Sequence, residues 1–288
     1  MNHAEDKILA CVDLSGYAEH VADCAAWAAK RLQAPLEFLH VIERHPALDG
    51  TQDHSGILGA NANETLLKNL SEEDAARTRA EREHAREFLN TLRVRAEEAG
   101  AQSVDTRQRH GDLEETLSEQ QHGASLFVLG RRGASAQNAK RALGLHVEWT
   151  VRSLQRPILA VTEQFKTPER VLIAFDGSAV TRKGIEMVAV SPLFKGLPVH
   201  VVMAGKTGRD QRKPLAWACQ TLEQAGFDVA ADSLPGNPED VIDQIINQKG
   251  IDLLVMGAYS HSPLRNLFKR SKTTELLRRA SVPTLLLR

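Results

Sequence analysis

One glycine-spaced loop, Gly130-Arg131-Arg132-Gly133, holds the residue types in this chain best suited to binding a phosphorylated ligand, and two acid–hydroxyl pairs, Asp13-Leu14-Ser15 and Asp176-Gly177-Ser178, each follow an apolar run. The loop leaves an apolar run, Phe127-Val-Leu-Gly130, and a helical pattern opens at Leu143-Gly144 and continues through Leu154. Glycines at a strand's carboxyl end let backbone N–H groups approach a phosphate, and the next helix's N-terminus adds a positive dipole. Arg131, Arg132, Lys140 and Arg141 would supplement that charge. Gly-x-x-Gly alone also fits an ordinary turn, and its place between strand and helix is what singles it out. The two acids have a plainer alternative, which is to cap the helices that follow them.

The elements that must position these residues occur twice. Lys7-Ile-Leu-Ala-Cys-Val-Asp13 is echoed by Arg170-Val-Leu-Ile-Ala-Phe-Asp176, and Leu36-Glu-Phe-Leu-His-Val41 by Val199-His-Val-Val-Met-Ala204, both at an offset of 163 (176 − 13, 199 − 36). Ser125-Leu-Phe-Val-Leu-Gly130 returns as Asp252-Leu-Leu-Val-Met-Gly257 at an offset of 127, and Arg156-Pro157-Ile-Leu-Ala-Val161 as Val282-Pro283-Thr-Leu-Leu-Leu287 at 126. So long a period marks duplicated domains, since solenoid repeats run about 20–50 residues. A chain of 288 residues is also the length of about two domains. The expected boundaries are 1–163 and 169–288, joined by a short linker at 162–169 carrying Pro168.

Within each copy, short apolar runs alternate with helical patterns such as Ala18–Leu32 and residues 181–190. That alternation predicts a parallel sheet covered on both faces, with right-handed crossovers. The first copy carries 36 extra residues (163 − 127). Residues 45–63, with Gly50, Gly56 and Gly59, read as a loop. Residues 66–98 read as a charged amphipathic helix opened by Ser71-Glu-Glu-Asp74 and stopped near Gly100.

The bulk numbers exclude more than they select. A net charge of −1 and 5% aromatic residues give no footprint for nucleic acid. Basic groups such as Lys269-Arg270-Ser-Lys272 and Arg278-Arg279 read as helix-end and solvated positions. Cys11, Cys24 and Cys219 show no paired spacing and fit reduced thiols, with Cys11 in a core strand. No signal-peptide stretch or membrane-spanning run is present, so a cytoplasmic protein without membrane insertion is expected. The phosphate-loop lysine motif, the dinucleotide Gly-x-Gly-x-x-Gly turn, the Gly-x-Ser-x-Gly elbow and zinc-ligand spacings are all missing. His40, His45 and His54 follow no ligand pattern, and His261 beside Ser260 has no positioned acid. No catalytic or metal-binding residue is therefore assigned.

With its duplicated Asp-x-Ser after a hydrophobic strand and its Pro-initiated final strand after a helix, the sequence resembles the tandem universal stress proteins over nearly its whole length. The resemblance implies an α/β fold of two five-stranded parallel-sheet sandwiches, Rossmann-like and of the adenine-nucleotide alpha hydrolase type. It also implies that they pack as an internal pseudo-dimer through their final strands. ATP-binding members carry Gly-x-x-Gly, nine more residues, then Gly and Ser or Thr. Here Gly130 and Gly133 match, but Gly144 follows after ten residues and Leu145 replaces the hydroxyl. In the second copy Gly257 matches, Ser260 and Arg270 replace the later glycines, and Ser271 and Thr273 keep hydroxyls nearby. By the same resemblance Asp13 and Asp176 would face the adenine, with backbone near Val41 and Ala204 helping to hold it.

The resulting expectation is a stress-response regulatory module binding a nucleotide or another small phosphorylated ligand. ATP, with Mg accompanying it, is the first candidate. Protein partners and homodimer formation fit the same reading. A weak ATPase or phosphotransfer enzyme, and an interaction scaffold with vestigial pockets, are the alternatives.

Overall fold

The computed structural model describes residues 6–42, 60–132, 145–205, 209–257 and 272–288. The first half contributes β1 (Lys7–Cys11), α1 (Ala18–Leu32), β2 (Leu36–Ile42), α2 (Ala60–Glu98), β3 (Val104–His110), α3 (Leu113–Gln120), β4 (Ala124–Gly130), α4 (Leu145–Ser153) and β5 (Ile158–Val161). The second contributes β6 (Val171–Ala174), α5 (Ala179–Val190), a short 3-10 helix (Pro192–Phe194), β7 (Val199–Ala204), α6 (Arg209–Gln224), β8 (Val229–Leu234), α7 (Pro238–Lys249), β9 (Leu253–Gly257), α8 (Lys272–Arg279) and β10 (Thr284–Leu287).

All ten strands form one sheet in the order β3-β2-β1-β4-β5-β10-β9-β6-β7-β8. Ile8, Leu9 and Ala10 of β1 are fully buried, as a parallel strand covered on both faces requires. Among the described residues every pairing is parallel except one: β5 and β10 run antiparallel, with Leu159 opposite Leu285 and Ala160 opposite Thr284. That junction places the two halves about a pseudo-two-fold and covers what would otherwise be two exposed apolar edges. The expected α/β fold with joined final strands is what the chain adopts.

The core is continuous across the junction on both faces. On one side Ile8, Ala10 and the alanine-rich α1 share a cluster with Val161, Leu285, Leu287 and Ile185. On the other, Leu9, Phe127 and Ile158 join Leu286, Leu254 and Ile245. Helix α5 lies so close to the seam that a Cβ on Gly184 would stand 2.9 Å from Leu287 Cδ1. Across the same seam Arg31 of α1 donates from Nε to Leu193 O at 2.6 Å and from Nη2 to Lys195 O. No helix among the described residues is long and apolar enough to cross a membrane.

One expectation needs correction. Helix α2 begins at Ala60, so residues 60–63 are helical rather than loop, and Ser71 lies inside the helix rather than at its start. The reason is visible in composition: no glycine or proline occurs between Ala60 and Glu98, so nothing halts propagation upstream of the Ser71 cap signal. Its end falls where expected, with Gly100 at φ +93°. Residues 45–59 lie outside the described residues.

Candidate functional site

In each half the chain leaves two neighbouring strands in opposite directions. From β1 it moves outward to β2, while from β4 it moves inward to β5. β6 and β9 repeat the arrangement. Such a topological switch point opens a crevice outside the strands' carboxyl ends, where doubly wound sheets bind ligands. Asp13 stands just beyond β1 and Gly130 ends β4; Asp176 stands just beyond β6 and Gly257 ends β9. Val41 near the end of β2 and Ala204 at the end of β7 each lie at the carboxyl edge of their own half, and these two edges are at opposite ends of the sheet because β5 and β10 run antiparallel. Thr273 falls in the first turn of α8. Gly133, Gly144, Ser260, Arg270 and Ser271 lie outside the described residues, as do Lys140 and Arg141.

Both acids organise the turn they sit in. Asp13 Oδ1 accepts from Ser15 N at 3.1 Å, and Ser15 Oγ accepts from Tyr17 N at 3.3 Å, leading the chain into α1. His40 Nδ1 donates to Val12 O at 2.9 Å, holding the end of β1 against β2. Asp176 Oδ1 accepts from Ser178 N at 2.9 Å and from Thr181 Oγ1 at 2.7 Å. Ser178 in turn caps α5 through Thr181 N at 3.4 Å. Burial would raise the Asp176 carboxyl, but hydrogen bonds from Ser178 and Thr181 outweigh it and hold the group below the ordinary carboxylate range. Neither acid is the helix cap weighed from sequence: α1 starts after Tyr17 without a side-chain cap and Ser178 caps α5, while each acid holds the turn that precedes the helix.

The glycines ending β4 and β9 answer first to packing. A Cβ on Gly130 would lie 3.0 Å from Tyr17 Cβ and 3.1 Å from Arg132 O. On Gly257 it would meet Val180 Cγ1 at 3.1 Å and Thr181 Cγ2 at 3.3 Å. Tyr17 and Val180 are separated by the repeat offset of 163 (180 − 17), so the same helix start presses on the same strand end twice.

The two arginines after Gly130 take positions that sequence reasoning did not foresee. Arg131 was expected to supplement charge near a phosphate. Instead its Nη1 reaches into the second half and donates to Leu277 O at 2.6 Å and to Ala280 O, at the C-terminal end of α8. Arg288 mirrors it by donating to Val151 O in α4. Arg132 Nη1 pairs with Glu163 Oε1 at 2.8 Å, and Tyr17 Oη donates to the same oxygen at 3.1 Å. Burial pushes the Tyr17 phenol up to about 12; its hydrogen bond to Glu163 adds to the shift and Arg132 opposes it.

The second crevice is built differently. Gly177, at φ +76°, lies beneath α6, and a Cβ there would be 3.4 Å from Pro214 Cβ. Trp217, one turn further along α6, stacks on Phe175 with centroids 6.4 Å apart and planes at 27°. The Arg182 guanidinium sits 4.9 Å above the Trp217 ring, and its Nε donates to Gly177 O at 3.0 Å. At the matching place in the first half, Leu14 is 52% exposed. Sequence reasoning missed Tyr17, Glu163, Arg182 and Trp217. The 163-residue offset would have drawn attention to Tyr17 opposite Val180, but not to its partner.

A paired, doubly wound α/β sheet with an acid and a glycine at each switch point defines the class of architecture. The description "Universal stress protein family" matches residues 5–162 and 203–288, and the chain belongs to that family. The second match leaves β6 and the Asp176 turn outside it. The chain is 34% identical over 286 residues to Universal stress protein Slr1230 of Synechocystis sp., covering 98% of this chain and 99% of the relative. Among solved structures, a universal stress protein from Archaeoglobus fulgidus DSM 4304 is similar over 97% of each chain at 18% identity, with a TM-score of 0.70. A functionally unknown protein from Pseudomonas aeruginosa PAO1 covers 99% of this chain and 92% of its own at 21% identity, with a TM-score of 0.57. At these identities the structural likeness concerns the fold.

Proposed function

We propose that this protein is a cytoplasmic regulatory module of the stress response that binds a nucleotide or another small phosphorylated ligand in the first-half crevice. The observation that carries the reading is the placement of Asp13 and Gly130 at the carboxyl ends of adjacent strands β1 and β4, on either side of a switch point. ATP accompanied by Mg is the first candidate, on the partial Gly130-x-x-Gly133 match. The second crevice has the same acid and glycine, and its Asp176 is exposed, but α6 packs on the neighbouring Gly177 and Ser260 and Arg270 stand at the later glycine positions. It is the weaker site in this reading. A ligand that binds one arrangement of the loop and seam better than another shifts the population toward it, and a protein partner can sense that shift.

Titrating ATP–Mg into the full chain tests the reading. One site per chain is expected, and Gly133→Val should weaken it tenfold or more by blocking backbone approach, with the fold intact by circular dichroism. Absence of binding to the unaltered protein would remove ATP as the ligand. Equal binding by the variant would place the site elsewhere. Phosphate release measured on the same sample separates a binder from a weak ATPase.

A further inference from the structure

The pairing of Glu163 with the loop after β4 has the form of a ligand contact made by the protein itself. Glu163 Oε1 accepts from Arg132 Nη1 at 2.8 Å and from Tyr17 Oη at 3.1 Å. The two donors adjoin Gly130, the glycine that ends β4 at the switch point. Tyr17 packs on Gly130 and is 6% exposed, and the Arg132 side chain is 16% exposed. The acceptor comes from outside: Glu163 follows β5 by two residues and its side chain is 65% exposed. Backbone hydrogen bonds keep the two segments in step, with Arg131 N donating to Val161 O at 2.9 Å. A carboxylate held by a guanidinium and a phenol is the closest side-chain imitation of a bound phosphoryl group.

We propose that Glu163 is an autoinhibitory latch, a built-in substitute for the ligand's phosphate that an incoming phosphoryl group displaces from Arg132 and Tyr17. The proposal rests on the first-half reading above and adds its regulation. Exchange is feasible because of the exposure difference. An ion pair whose acid lies mostly in water is weak, whereas a phosphate brings more charge and can bond an arginine through two oxygens. The rest of the linker has its own anchors, since Thr162 Oγ1 donates to Gln164 O at 2.7 Å and Phe165 packs on Trp27 with centroids 6.3 Å apart. Displacement therefore frees one side chain without parting the halves. Val180 stands at the Tyr17 position of the second half and has no hydroxyl, so that half lacks the phenol side of the latch.

The test is calorimetric titration of the full chain with ATP–Mg and, separately, with adenosine. The proteins compared are the unaltered chain, Glu163→Gln, and Glu163→Gln combined with Arg132→Gln. Glu163→Gln should tighten ATP about twofold to fivefold, the scale of a mostly exposed ion pair. It should leave adenosine unchanged, and the double variant should lose the gain and fall below the unaltered chain. ATP bound equally by the unaltered chain and Glu163→Gln overturns the latch and leaves the first-half site standing. Weaker ATP binding by Glu163→Gln overturns it by making Glu163 a group that helps the ligand. A gain of equal size for adenosine overturns it by showing a reshaped pocket. ATP bound by neither protein overturns the latch and the ATP reading together.

Discussion

The two halves repeat a strand order, a turn acid and a strand-end glycine, yet the mouths of their crevices have diverged. In the first, Leu14 stands in solvent beside Asp13, and a tyrosine and an arginine converge on Glu163. In the second, Gly177 lies under Pro214, and Arg182 is sandwiched between its own turn and Trp217. The shared parts are those that hold the backbone, and the divergent parts are those that a ligand would meet. Duplication has preserved the scaffold and released the mouths of the crevices.

The largest expected effect tests whether the halves are one folding unit. Leu285→Asp places a charge in the β5–β10 junction, where Leu285 is buried opposite Leu159. It should cost at least about 3 kcal/mol. Urea unfolding followed by tryptophan fluorescence should show the loss as one shifted transition, because Trp27 lies in the first half and Trp217 in the second. Two separate transitions, with only one shifted, would mean that the shared cores do not couple the halves.

A smaller effect distinguishes the two strand-end glycines. At Gly130 a methyl group meets the Cβ of buried Tyr17 and a backbone oxygen, neither of which can move without shifting the chain. At Gly257 it meets only side-chain methyls, those of half-buried Val180 and Thr181, of which Val180 can give without losing a hydrogen bond while Thr181 is held by Asp176. Gly130→Ala should therefore cost about 1–3 kcal/mol by overpacking, and Gly257→Ala distinctly less. Equal midpoints for the two variants in denaturant would remove this contrast.

The smallest effect is a pH dependence. The Asp176 carboxyl titrates below its unfolded value, so its contribution to stability is fully present above the unfolded pKa of about 3.9. That contribution is lost as pH falls through the lower, folded value. The Tm difference between the unaltered protein and Asp176→Asn should accordingly be largest near neutrality and shrink toward pH 3. A difference independent of pH would show that the carboxylate's charge does not matter to the turn.

Much of the fold was legible because interior strands announce themselves. The runs forming β1, β4, β6 and β9 are apolar on both faces, and their repetition marked two domains. The outermost strands β3 and β8 read Val-Asp-Thr-Arg-Gln-Arg-His and Val-Ala-Ala-Asp-Ser-Leu and carry no such run. An edge strand exposes much of its surface, so polar residues there carry no penalty that would mark them. In the site, the acids and Gly130 were placed from their position at strand ends. The roles of Arg131 and Glu163 were not, because their contacts join residues 146 positions apart (Arg131 with Leu277, Tyr17 with Glu163). No local pattern encodes such a meeting.

The antiparallel β5–β10 ladder also has a hereditary consequence. When two identical chains associate through this edge, every substitution is written into both members at once, and neither crevice can change alone. Here the two sides of the ladder are separate stretches of one gene product, present in equal number and never exchanged. Tyr17 and Val180, or Leu14 and Gly177, could therefore drift apart while the ladder kept their frames aligned. For engineering, either crevice can be rewritten with its neighbour as an internal control in the same molecule.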